Sequence, residues 1–297
     1  MPPKRHSKDK MNLVNKVVER MSWAEKALPS FFILGAQKAG TSSLFKYIAA
    51  HPSIDAPVDK EINFFTHDQL YSHGQNWYSQ QFLVKRSLKG PHITFEATPE
   101  YLYYPFISER IFKMIPNPRF IVMLRNPVDR AFSAWNMYRK LHAGTEKDWL
   151  LSRIEICNQN VQDGLNWLLG QERFPSFEAC IDYELERIEK NPESLEPSFI
   201  RRGFYDVQIE NYFRFFDDSK FFFALDSELK GDRPELLNRI TSFLNLSAFD
   251  FSTKSDSPKN VGQYTNGLDS KTHNRLEHLY DPHNFKLKQL IKRDIPW

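Results

Sequence analysis

The segment 31–45 constrains the fold of this chain more than any other part of the sequence; it reads FFILGAQKAGTSSLF. Its apolar start, Phe31–Leu34, predicts a buried strand, and Gly35 and Gly40 bracket a short loop. Thr41 then opens a stretch typical of a helix N-terminus. Backbone N–H groups point into a loop of this kind, and the dipole of the following helix favours negative charge. The segment therefore predicts a strand, an anion-binding loop and a helix in direct succession.

The spacing of this loop is close to the phosphate-binding pattern G-x-x-x-x-G-K-[ST], with one difference. Thr41 stands where that pattern has lysine, and the lysine of this chain, Lys38, lies inside the loop. The resulting form, G-x-x-K-x-G-T-[ST]-S-L, resembles the 5′-phosphosulfate loop of sulfotransferases that use 3′-phosphoadenosine 5′-phosphosulfate (PAPS). The resemblance implies that this donor contacts Lys38, Ala39, Gly40, Thr41, Ser42 and Ser43.

A second motif follows about twenty residues later and reads KEINFF, from Lys60 to Phe65. Heparan-type and many bacterial sulfotransferases carry a similar K-E-x-x-F-F segment. The resemblance implies that Glu61 is the catalytic base. In the reaction expected here, Lys38 holds the 5′-phosphosulfate, and Lys60 assists on the sulfate side.

A third motif, RNPVDRAFS, follows the apolar run that ends at Leu124. It places Arg125 at the end of a predicted strand and Ser133 two turns into a predicted helix. The planar guanidinium of arginine suits a phosphate, and serine adds one hydroxyl. In the family this pattern binds the donor's 3′-phosphate. The same resemblance extends to further donor contacts at Tyr205, Lys259, Asn260 and Val261.

The fold class follows from the alternation of strands and helices. Strand-type runs lie at Phe31–Leu34, Ile93–Glu96, Arg119–Leu124 and Lys220–Leu225, with helical patterns between them. This predicts a three-layer α/β/α fold with a central parallel sheet, and the resemblance implies the P-loop-like sulfotransferase version of it. We expect residues 1–26 to form a basic, flexible arm and 27–297 the sulfotransferase domain. A helical section at about 140–200 is expected on the acceptor side.

Composition limits the compartment and the partners. The net charge is +3, and the first twenty residues carry six basic and two acidic side chains, so the rest of the chain is close to neutral. Nucleic acid is therefore not an expected partner. Two cysteines, Cys157 and Cys180, indicate a reducing compartment with buried, free thiols. Because no apolar run is long enough to span a membrane and no signal core is present, we expect a soluble cytoplasmic protein.

The predicted reaction is transfer of a sulfuryl group from PAPS to a hydroxyl or amine. The acceptor is a carbohydrate, a small molecule or a carrier-bound acyl group, and no metal is required. Two positions depart from the heparan-type pattern: Asn63 replaces a frequent histidine, and Ala97 replaces a frequent lysine. A glycosaminoglycan acceptor is therefore not assigned.

Three alternatives remain open at the level of sequence. His92 could be the base instead of Glu61, although its place early in a strand favours a structural role. A nucleotide kinase or NTPase could use Asp226 as its acid, but the chain lacks the lysine of that motif at Thr41. A non-catalytic nucleotide- or anion-binding protein is the third alternative.

Overall fold

The computed structural model describes residues 24–85, 92–115, 117–144, 159–192, 195–252 and 268–297. The strands are β1 (Ala24–Lys26), β2 (Phe31–Gly35), β3 (Ile54–Asp55), β4 (Leu83–Lys85), β5 (Ile93–Ala97), β6 (Arg119–Leu124) and β7 (Phe221–Leu225). The helices are α1 (Thr41–Ile48), α2 (Asp68–Ser72), α3 (Gly74–Ser79), α4 (Ile107–Met114), α5 (Pro127–Ala143), α6 (Gln159–Gly170), α7 (Phe177–Lys190), α8 (Tyr205–Phe213), α9 (Asp226–Gly231), α10 (Arg233–Phe243) and α11 (Ser270–Ile291).

Five strands form one parallel sheet in the order β3-β5-β2-β6-β7. The central strand, β2, is fully buried along its length, as its continuous apolar sequence predicts for a strand covered on both faces. Aromatic rings pack between neighbouring strands: Phe31 stacks on Phe95 with centroids 4.9 Å apart, and Phe120 stacks on Phe221 at 4.7 Å. The predicted fold class is confirmed.

The four strands expected from the sequence are all present, and they differ from the prediction by one residue or less at each end. The two-residue strand β3 was not predicted, and neither was the antiparallel pair of β1 with β4. That pair includes Ala24–Lys26, so the last residues of the predicted arm form a strand here. The remaining arm residues, 1–23, lie outside the described residues, and the domain boundary stays a prediction.

The described part of 140–200 is largely helical, with the end of α5 followed by α6 and α7. Asn126 caps the start of α5: its side chain accepts hydrogen bonds from the N–H groups of Val128 and Asp129. Cys180 on α7 is buried and free, and burial raises the pKa of its thiol to about 12. Cys157 lies outside the described residues. None of the described helices is both long and apolar enough to cross a bilayer.

The topology places the candidate site. β2 has β5 on one side and β6 on the other, so the strand order reverses at β2. In open parallel sheets, ligands bind in the crevice outside the carboxyl ends of strands at such a reversal. The loop after Gly35 and the segment after Leu124 therefore emerge next to each other.

Candidate active site

The two glycines of the first loop are required by geometry. Gly35 has φ +155°, and a Cβ there would lie 2.9 Å from Leu102 Cβ and from Pro99 O. Gly40 has φ +93°, and a Cβ would lie 3.3 Å from Leu229 Cδ2. Both positions combine positive φ with close neighbours, so a larger residue would strain the loop.

The first turn of α1 offers backbone donors to an anion. The N–H groups of Ser43 and Leu44 already bond to Gly40 O at 3.0 Å, which leaves those of Thr41 and Ser42 at the helix start. Ala39 is buried, and its N–H closes a turn onto Ala36 O at 3.1 Å. Ala39 thus shapes the loop, and its contact with a donor stays a prediction.

Lys38 lies at the centre of the loop with φ 71°. Burial lowers the pKa of its ammonium, and the nearby Arg125 guanidinium lowers it further. The backbone carbonyl of Lys38 accepts a hydrogen bond from Arg125 Nη1 at 3.1 Å. The loop and the end of β6 are therefore joined directly, and they place two cations side by side.

Arg125 follows β6, and Ser133 lies on α5; both line one cavity with Lys38. The Arg125 side chain is 19% exposed, and its Nε lies 3.8 Å from Asp226 Oδ2. Tyr205 supports this position from behind: it is 1% exposed, and its hydroxyl donates to Arg125 O at 2.9 Å. Tyr205 is not among the residues that line the cavity, and its contact with a donor stays a prediction.

Glu61 lines the same cavity with a side chain that is 45% exposed. Lys60 donates from its ammonium to Glu61 Oε1. Glu61 has φ 63° and Asn63 has φ 58°, both in the left-handed region that is uncommon for residues other than glycine. The Asn63 side-chain amide donates to Glu61 O at 2.8 Å and so fixes this turn. The predicted base therefore faces the predicted donor site.

This cavity has a volume of about 730 Å³. One wall was missed by the sequence reasoning: it comes from α9 and the start of α10, with Leu229, Lys230, Gly231, Arg233 and Pro234. The Arg233 guanidinium lies over the Tyr47 ring at 4.5 Å from its centroid. The predicted strand β7 could have indicated this wall, because the residues that follow a parallel strand lie at the carboxyl edge of the sheet.

Other sequence candidates lie elsewhere or have other partners. His92 precedes β5 at the opposite edge of the sheet, where its Nδ1 lies 2.9 Å from Asp55 Oδ2. Asp226 lines the cavity but pairs with Lys230 at 2.5 Å. Lys259, Asn260 and Val261 lie outside the described residues. Among the residues that are described, no group of three or more His, Cys, Asp or Glu side chains is arranged to hold a metal ion.

The chain is similar to proteins of one known family. The sulfotransferase domain family matches residues 28–257. A membrane-associated sulfotransferase, kil1, of Dictyostelium discoideum is 22% identical over 91% of this chain and 66% of that protein. The mouse heparan sulfate glucosamine 3-O-sulfotransferase 6 is 27% identical over 92% of this chain and 74% of that protein.

Solved structures agree. A sulfotransferase from Alicyclobacillus acidocaldarius has a TM-score of 0.61 and 26% identity, covering 91% of this chain and 98% of that one. Mouse sulfotransferase SULT7A1, solved in complex with PAP, has a TM-score of 0.50 and 18% identity, covering 89% and 87%. The second likeness concerns the fold alone.

The chain belongs to the sulfotransferase domain family. It is accordingly an enzyme of the sulfotransferase class, and its reaction is sulfuryl transfer. The resemblance found in the sequence is confirmed, and the nucleotide-kinase alternative is not favoured.

Proposed function

We propose that this sulfotransferase takes its sulfuryl group from PAPS and transfers it to a hydroxyl or amine of a carbohydrate, small-molecule or carrier-bound acyl acceptor. The observation that carries the proposal is that four residues far apart in sequence line one cavity: Lys38, Glu61, Arg125 and Ser133. A nucleotide donor with a phosphate at each end needs an anion-binding loop and a second cation, and this cavity offers both.

The residues present fit such a donor. Thr41, Ser42 and Ser43 at the start of α1 line the same cavity as Lys38, so backbone donors and a cation face one space. Burial and neighbouring cations lower the pKa of Lys38, which means that the surroundings disfavour further positive charge. A bound polyanion would relieve that cost, since it favours the charged ammonium. The mouse sulfotransferase of similar fold was solved in complex with PAP, the desulfated form of the donor proposed here.

PAPS supplies the sulfuryl group, and its phosphate is the leaving group. In our proposal Glu61 accepts the proton of the acceptor as general base, and Lys60, bonded to its carboxylate, orients it. Lys38 and the N–H groups at the start of α1 stabilise the charge that develops on the leaving phosphate. Arg125 and Ser133 hold the 3′-phosphate. Because the Lys38 ammonium and the Arg125 guanidinium supply positive charge at the donor site, we propose that no divalent metal is required.

The acceptor is proposed only by class. A relative named for a heparan sulfate glucosamine supports a carbohydrate. Asn63 and Ala97 depart from the heparan-type motif, and both side chains are buried, so neither reaches an acceptor directly. The chemistry at Glu61 requires only a hydroxyl or amine that can lose its proton.

The test combines donor binding with turnover. We expect Glu61→Gln to abolish transfer from radiolabelled PAPS to a panel of phenols, nitrophenyl glycosides and desulfated heparan. Binding of 3′-phosphoadenosine 5′-phosphate (PAP), measured by calorimetry, should be unchanged. Glu109→Gln is the matched control, because Glu109 is also a half-exposed carboxylate paired with a lysine, Lys113, at 2.6 Å. Full turnover by Glu61→Gln would show that Glu61 is not the base. In a thermal-shift measurement, a larger rise in the melting temperature with ATP–Mg²⁺ than with PAP would contradict the proposed donor.

A further inference from the structure

A carboxyl group with no assigned part in the chemistry lies beneath the Glu61 segment. Glu96, the next-to-last residue of β5, is 0% exposed. Its Oε1 accepts hydrogen bonds from the Tyr101 hydroxyl at 2.6 Å and the Thr98 hydroxyl at 2.8 Å, and its Oε2 accepts one from the Tyr78 hydroxyl. Among the described residues, no lysine or arginine forms an ion pair with it. Hydroxyl groups therefore hold this carboxyl in place, and they are fixed by it in turn.

Tyr78 and Tyr101 both contact the aromatic pair Phe64–Phe65, which ends the KEINFF segment. The Tyr101 hydroxyl, besides donating to Glu96, accepts the Phe65 N–H at 3.2 Å. The Tyr78 ring stacks on Phe64 with centroids 4.3 Å apart and an interplanar angle of 20°. The Phe65 ring meets Tyr78 and Tyr101 edge to face at 5.2 and 5.5 Å. Phe64 and Phe65 are both fully buried.

From this pair the contacts continue to Glu61. Asn63 directly precedes Phe64, and its amide bonds to Glu61 O. Glu61 and Asn63 both have left-handed φ values, which persist in folded proteins only where the surroundings over-determine them. The surroundings here are the buried Phe64–Phe65 anchor and the Tyr101 hydroxyl that fixes its backbone.

We propose that Glu96 and Tyr101 are positioning residues for the catalytic base: through the Phe65 N–H they hold the turn that directs Glu61 into the donor cavity. The proposal rests on the proposed role of Glu61. Neither residue lines the cavity, so they act on the placement of the base and not on donor binding.

The experiment compares two hydroxyl deletions on one buried carboxylate. Tyr101→Phe removes the bridge between Glu96 and the Phe65 N–H and keeps the ring. Tyr78→Phe removes another hydroxyl from the same carboxylate, also at a fully buried ring, but that hydroxyl donates to Glu96 and does not bridge to the Glu61 segment. Any general loss of stability affects both variants, whereas the loss of positioning affects only the first.

We expect Tyr101→Phe to lower kcat about tenfold or more, while the Kd for PAP changes less than about twofold. Tyr78→Phe should keep kcat within about threefold. Hydrogen exchange of the peptide 59–66, followed by mass spectrometry, should accelerate in Tyr101→Phe and not in Tyr78→Phe. Glu96→Gln, which keeps the shape of the side chain, provides a second variant and should accelerate exchange in the same peptide.

Equal losses of kcat in the two tyrosine variants, or unchanged exchange in 59–66 for both Tyr101→Phe and Glu96→Gln, would overturn the proposal. The exchange measurement does not depend on turnover. If Glu61→Gln retained full activity while exchange still accelerated in Tyr101→Phe, the role of Glu61 would fail and the positioning of the segment would stand.

Discussion

Replacing Arg125 with alanine tests the 3′-phosphate site, and the structure sets the size of the effect. Arg125 Nη1 already donates to Lys38 O at 3.1 Å, and Nε faces Asp226 at 3.8 Å. We therefore expect Arg125 to make one strong hydrogen bond to the phosphate through Nη2, and not a bidentate pair. A charge-assisted hydrogen bond contributes about 1.5–3 kcal/mol, and we expect the lower part of that range, about 1.5–2 kcal/mol. At about 1.4 kcal/mol per tenfold, Arg125→Ala should weaken PAP binding by about 10- to 30-fold.

The assay is isothermal titration of PAP and of adenosine 5′-phosphate, which lacks the 3′-phosphate. Arg125→Ala should weaken the binding of adenosine 5′-phosphate by about threefold or less. That small loss would come from the missing hydrogen bond between Arg125 and the Lys38 carbonyl, which holds the loop. Arg119→Ala is the matched control, because Arg119 starts the same strand at the opposite edge of the sheet, where its guanidinium lies over Phe243. We expect that variant to bind both nucleotides as the original chain does.

Equal losses for the two nucleotides would refute the reasoning, because Arg125 would then act on the loop and not on the 3′-phosphate. The same holds if Arg119→Ala weakened PAP as much as Arg125→Ala did, since the effect would then reflect the net charge of the protein.

Three further predictions concern Lys38 and the metal. Lys38→Ala should lower kcat by a larger factor than it weakens PAP binding. Backbone N–H groups still hold the 5′-phosphate in the variant, whereas the negative charge that develops on the leaving oxygen loses its partner. Steady-state kinetics measures the change in kcat, and calorimetry measures the change in PAP binding. The pKa of Lys38 is lowered in the free protein, and a bound anion favours its charged form, so PAP affinity should fall as pH rises through the lowered pKa. Binding titrations over a range of pH should show this decline in the original chain and lose it in Lys38→Ala. Turnover should survive EDTA, and restoration by Mg²⁺ after a complete loss would contradict the proposed electrostatics.

Local sequence patterns were sufficient where one short segment decides the structure. The run Arg119–Leu124 is short, apolar and contains Phe, Ile and Val, which favours a buried strand, and the structure has the strand at those residues. Asn126 before Pro127 marks a helix start by its own chemistry, and α5 begins there. Motifs alone selected four residues that line one cavity: Lys38, Glu61, Arg125 and Ser133. Lys38 follows β2, and Arg125 follows β6 with Ser133 on the next helix, so these residues meet at the carboxyl edge of the sheet.

Other features depend on distant parts of the chain and leave no local pattern. The cavity wall from Leu229 to Arg233 follows from the pairing of β7 with β6, which no short segment encodes. Tyr205 was chosen by motif as a donor contact; its hydrogen bond to Arg125 O joins segments 80 residues apart and leaves no local pattern. The anchor of Phe64 and Phe65 on Tyr78 and Tyr101 joins three segments that are separate in sequence.

The central place of β2 has a consequence for how the protein folds. Phe31 pairs with Phe95 on one side and with Arg119 on the other, so both neighbours of this strand arrive much later in the chain. Closing such long loops precedes any gain from the contacts, which slows folding and makes it depend on chain topology. During synthesis the residues of the anion-binding loop are made early, but the loop acquires its shape only after β6 has emerged. A fragment that ends before residue 119 would keep the whole GAQKAGTSS sequence and have no functional anion site, since the strand before it would lack a partner on one edge.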